Sequence, residues 1–149
     1  MFKIVGIKKV NYMGIFDKLT GKTATLTPKS ALVLSAITVI AADGVIDEAE
    51  LNDLAKIVRG DKKSIEVAME VMRANRFPAV IDLIAEKLDE KQKLATLAIL
   101  CDLAMADGIL AGEEKAVLQV YMDKFGIPEA KLQPIIDAIA IKNDFSIFS

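Results

Sequence analysis

The chain has 149 residues, with 53% hydrophobic and 27% charged side chains, no His, one Cys and a formal net charge of −2. That is ample material for one domain with its own core, and it excludes a chain disordered throughout. Without imidazole there is no Ser-His-Asp triad, no Cys-His pair and no HExxH zinc site, and a single thiol rules out a CxxC motif, an internal disulfide and Cys-built zinc or iron–sulfur centres.

Residues 1–26 read as a largely irregular N-terminal extension, with Lys3–Val10 a weak strand candidate. Residues 1–30 carry six Lys and one Asp, and the remainder 13 basic and 20 acidic groups, so the net −2 divides into +5 and −7. An acidic body without Trp is a poor partner for duplex or single-stranded nucleic acid. Residues 1–12 lack a signal-peptide cleavage site, and Met13-Gly14 resembles a natural start. The longest uncharged stretch near the core, Ser30–Ala42, has 13 residues. Roughly 20 are needed to span a bilayer, so no transmembrane segment is expected. With its lone thiol, the chain reads as cytoplasmic.

Helical periodicity then dominates, with Gly and Pro between segments. Thr27-Pro28 is an N-cap followed by Pro at the first helical position, opening a helix to about Ala42 that is apolar nearly all round. Asp43-Gly44 stops it. Asp47 caps a helix to about Arg59, ended by Gly60. Lys62–Asn75 carries a stripe of Ile65, Ala68, Met69 and Met72. Pro78 opens a helix to about Leu88. Asp89 caps another mostly apolar one, running to Ala106 and holding Cys101 as a small core residue. Asp107-Gly108 stops that helix, Glu113–Phe125 follows and ends at Gly126, and Pro128 opens the last helix, to about Lys142. In the tail, residues 143–149, Phe145 and Phe148 are expected to dock on the body. The domain division is therefore 1–26, 27–142 and 143–149. The fold expected is all-α, a compact bundle of about seven to eight helices built from two similar helical halves.

The two halves rest on an internal repeat. A shift of 64 residues lays Ala42-Asp43-Gly44-Val45-Ile46 on Ala106-Asp107-Gly108-Ile109-Leu110, Glu50 on Glu114 and Leu54 on Leu118. Residues 30–60 and 94–124 share six identities in 31 pairs, concentrated at this motif. Each copy matches the second half of an EF-hand loop, in which the Gly makes the sharp turn and the final Glu binds Ca²⁺. The earlier ligand positions fall on Val39 and Ala41, and on Leu103 and Met105, so neither copy is an EF-hand. Should the halves meet, Asp43, Glu50, Asp107 and Glu114 can together hold a hard cation, Ca²⁺ or Mg²⁺. Asp47, Asp102 and Glu113 are secondary candidates.

A purely structural reading also fits. Asp-Gly is a common helix stop, and Asp47 with Glu50 forms a capping box. The second copy has Ala111 at the capping position yet keeps Glu114. Both Asp residues follow helix C-termini, whose partial negative charge is unfavourable to a carboxylate by roughly 0.3–1 kcal/mol. These two features favour the ligand reading. The alternatives are a metal-free helical adaptor whose acidic face docks a basic protein, and a carboxylate-based hydrolase.

At Ala41–Leu51, at Ala104–Leu110 with Glu113-Glu114, and at the opening Met13–Lys18, the sequence resembles the TerB family of tellurite-resistance proteins, related to the DjlA-type co-chaperone domain. The resemblance covers about residues 13–142. It implies a non-enzymatic cytoplasmic helical domain with an acidic cluster suspected of binding a divalent metal. It places the motif Asp at Asp43 and Asp107 and the motif Glu at Glu50 and Glu114. It further implies a stress-response role with TerD-type calcium-binding partners, peripheral to the inner membrane face. Ala111-Gly112, where the first copy has Asp47-Glu48, departs from the pattern.

Overall fold

The computed structural model describes residues 25–42, 48–105 and 112–149, with backbone only at 49–51. Thr27 opens α1 (Pro28–Ile40) through a reciprocal capping box: Ser30 N–H donates to Thr27 Oγ1 at 3.1 Å and Thr27 N–H donates to Ser30 Oγ at 2.7 Å. α2 is Glu48–Val58 and α3 is Lys62–Ala74, capped by Asp61, which accepts from Ser64 N–H at 3.1 Å. α4 (Phe77–Lys87) has Pro78 in its first turn. α5 (Glu90–Ala104) starts with a second capping box, Asp89 with Gln92. α6 is Gly112–Phe125, α7 is Glu129–Asn143, and a 3-10 turn, Phe145–Phe148, follows. Among the described residues there is no strand. The weak strand candidate at Lys3–Val10 and the rest of residues 1–24 lie outside the described residues, as do residues 43–47 and 106–111.

α1 and α5 are the two central helices, as their all-round apolar sequences require. α1 packs on α2, α3, α4, α5 and α6, and α5 packs on α1, α2, α6 and α7. In α1, Ala31, Val33, Leu34, Ala36 and Val39 are fully buried, and in α5 so are Leu97, Leu100 and Cys101. The polar residues of α1 bury without leaving a polar atom unsatisfied. Ser35 Oγ donates to Leu32 O and Thr38 Oγ1 donates to Ser35 O, each at 2.7 Å.

The sequence repeat is also a packing repeat. Exchanging α1, α2 and α3 for α5, α6 and α7 turns α1–α2 into α5–α6, α1–α3 into α5–α7 and α1–α6 into α5–α2, all of them contacts present in the fold. Side chains follow the same 64-residue shift. Lys29 Nζ lies 3.9 Å from Asp61 Oδ2, and its counterpart Lys93 lies 6.0 Å above the ring of Phe125, the counterpart of Asp61. α4, which packs on α1, α3 and α6, has no helix as its counterpart.

Three expectations shift. α1 ends at Ile40 and α5 at Ala104, each about two residues early, with Ala41 and Met105 as C-caps. In α3 the buried face is Ser64, Ala68 and Val71, with Ile65, Met69 and Met72 only half-buried. The bulkier stripe thus lies beside the buried face rather than on it. The tail does not dock: Phe145 and Phe148 are 74% and 81% exposed.

Candidate functional site

Glu50 and Glu114 occupy the same helical position, the third residue of α2 and of α6. That is where a backbone N-terminus offers unpaired N–H groups and favours negative charge. Glu114 is buried, at 5% exposure, an unusual state for a carboxylate. Glu113, beside it, is exposed. Asp43, Asp47 and Asp107 lie outside the described residues, as does the side chain of Glu50. Asp102, half-buried on α5, accepts from Asn143 Nδ2 at 3.2 Å and pairs with Lys142 Nζ at 3.0 Å. Among the described residues no three carboxylate or thiol side chains come together as a metal cage.

A second feature was not read from the sequence. A groove of about 770 Å³ opens between α2 and α5, edged by the start of α1 and the end of α7. Leu32, Ile57, Ile99 and Leu103 give it aliphatic walls, and Lys29, Lys56, Arg59 and Lys142 surround them with Asp53 and Asp102. Three of the cations are paired: Lys29 with Asp61, Lys56 with Asp53 at 3.5 Å, and Lys142 with Asp102. Arg59 has no ion pair among the described residues. It stands at φ +53°, in the left-handed region, followed by Gly60 at +77°.

The repeat explains why the groove exists. Its counterpart is the α1–α6 junction, where Thr38 Oγ1 meets Tyr121 Oη at 2.7 Å. Thr38 spends its proton on Ser35, so Tyr121 donates. Tyr121 is fully buried and packs edge-on against Phe125, with ring centroids 5.6 Å apart. Burial pushes the Tyr121 phenol well above the usual tyrosine range, opposed in part by the Thr38 hydrogen bond. In the other unit, Ile57 and Asp102 replace Tyr121 and Thr38, and Asp61 replaces Phe125. The aromatic filling is absent there, and a groove remains. Two of these replacements lie within residues 30–60 and 94–124, and Asp61 against Phe125 follows one position further on.

Two three-helix units, each beginning with a buried central helix and carrying an Ala-Asp-Gly sequence and a following Glu, define a helical repeat module. The family model for tellurite resistance protein TerB matches residues 29–135, well over half of the chain. The chain belongs to the TerB family. No curated protein and no solved structure gives a significant match. Among the described residues no helix is long and apolar enough to cross a membrane.

Proposed function

We propose that the chain is a non-enzymatic TerB stress-response module that binds a divalent cation, Ca²⁺ or Mg²⁺, through Asp43, Glu50, Asp107 and Glu114. The observation that carries this reading is the exchange symmetry of the helix contacts, in which both central helices pack together and each second helix crosses onto the other unit. Duplicated motifs on such a scaffold belong to units that meet. The donors fit as well: with no His and one buried Cys, the chain offers oxygen, which suits hard cations. The bound ion would offset the unfavourable helix C-termini beside Asp43 and Asp107. On this reading the partner is a TerD-type calcium-binding protein, met in the cytoplasm at the membrane face.

Calorimetric titration of the full chain with Ca²⁺, Mg²⁺ and Mn²⁺ tests the proposal. A cation held at a hundredfold excess over its Kd should stabilise the fold by about 2.7 kcal/mol. A shared site gives one ion per chain, abolished by either Asp43→Asn or Asp107→Asn. Two separate sites give two ions, with one lost in each variant. Absence of both heat and thermal stabilisation with all three ions overturns the metal reading.

A further inference from the structure

The repeat extends further than its motif. Shifting α4 by 64 residues lays Phe77, Ile81, Leu83 and Ile84 on Ile141, Phe145, Ile147 and Phe148. In the first unit, Ile81 and Ile84 are 1% and 0% exposed, because α4 covers the junction of α1, α3 and α6. Exchanging the units maps that junction onto α5, α7 and α2, which border the open groove. Phe145 and Phe148 thus stand at the positions of buried Ile81 and Ile84, and Asp144 at that of buried Val80, while Phe77 is itself 41% exposed; in the tail Phe145 and Phe148 are exposed, as are Ile141 and Ile147.

One difference between the units lies at Pro78. It sits in the first turn of α4, where proline is well placed, and α3 has already stopped at Ala74. The counterpart of Pro78 is Lys142. With no proline there, α7 runs on helically to Asn143 and never makes the break that would fold the tail back. Asn143 is then held by Asp102 at the groove edge, and Asp144 caps the 3-10 turn by accepting from Ser146 N–H at 3.0 Å. The tail and its groove are both formed, but the hinge between them is straightened. Chain exchange between identical copies is a low-cost route open to such a hinge.

We propose that the groove between α2 and α5 receives the tail of a second copy of this chain, with Phe145 and Phe148 standing where Ile81 and Ile84 stand in the first unit. Charge agrees: the groove carries four cations against two carboxylates, and Asp144 leads the incoming tail. Size agrees as well, since 770 Å³ lies within the roughly 300–1,000 Å³ of ligand-holding clefts. Reciprocal exchange closes a twofold dimer. It buries four Phe side chains at about 150–250 Å² each, a large part of the ~1,200 Å² of a specific interface.

Sedimentation of the full chain over a concentration series tests this. The wild type should form a dimer, and Phe145→Ser with Phe148→Ser should raise the dimer Kd by roughly tenfold or more. Lys142→Pro restores the break, so it should give a monomer whose tail amides are protected from hydrogen exchange. A chain carrying Ser146→Cys and Asn52→Cys should link into covalent pairs of doubled mass on oxidation. A wild type that stays monomeric throughout, or a disulfide formed within one chain, overturns the proposal. So does dimerisation unchanged by the Phe substitutions, and that readout stands even where Lys142→Pro does not fold.

Discussion

Cys101 shows how much a single position inherits from its surroundings. It lies in the last turn of α5, fully buried, one residue from the groove carboxylate Asp102. Burial first, and the Asp102 charge second, push its thiol from 9.0 to about 11. The folded state thus holds the proton more tightly than the unfolded one. The stability linked to this group is complete below pH 9.0 and is lost as pH rises through about 11. A thiol that is both protonated and enclosed is a poor nucleophile. Native protein at pH 8 should therefore react with a thiol-specific disulfide reagent only as fast as it unfolds, and denatured protein at once. Cys101→Ala should move the alkaline limb of the stability curve to higher pH. Stoichiometric labelling of native protein within seconds would contradict the thiol's enclosure.

At the level of elements, the ends of the helices are the most explicit part of the structure. α6 closes in a Schellman motif: Ile127 N–H donates to Met122 O at 3.0 Å and Gly126 N–H to Asp123 O at 3.3 Å, with Gly126 at φ +70°. A Cβ at Gly126 would meet nothing within 4 Å, so any penalty is conformational rather than steric. Gly126→Ala should cost about 1–2 kcal/mol, read as a lower chemical-denaturation midpoint with an unchanged m-value. Such punctuation is local, and so Thr27, Asp89, Gly60 and Gly126 were legible as caps and stops from the sequence. The doubled Asp-Gly…Glu pattern and the apolar cylinders of α1 and α5 were legible for the same reason. Two things were not. Which face of α3 is buried, Ser64, Ala68 and Val71, depends on how it packs on α1, a tertiary fact. The undocked tail depends on Lys142 standing where the other unit has Pro78, and it becomes visible only once the packing of α4 is known. Pro134 was also passed over, and α7 continues through it, with Pro134 and Ala130 both on the exposed side. The groove was not legible in the sequence, because a groove is a missing filling.

At the level of the molecule, the two units are similar but not independent. Two domains would each own a core, with few contacts crossing the boundary. Here α1 from the first unit meets α5 and α6 from the second, and α2 meets α5. The buried Thr38–Tyr121 hydrogen bond spans 83 positions of sequence across the same divide. The aliphatic core is continuous, from Leu26 on the entry to α1 through to Leu132 and Ile139 on α7. Splitting the chain between Leu88 and Asp89 would expose the faces of both central helices at once. The second piece, residues 89–149, would also lie near the ~60-residue size at which a domain becomes marginal. Fragments 1–88 and 89–149 should each lack a cooperative thermal transition when alone. An equimolar mixture should recover helical circular dichroism and a single transition, while the intact chain melts in one step. If either fragment shows its own cooperative transition, the units are separable domains, and the exchange symmetry of their contacts is a docking arrangement rather than one shared core.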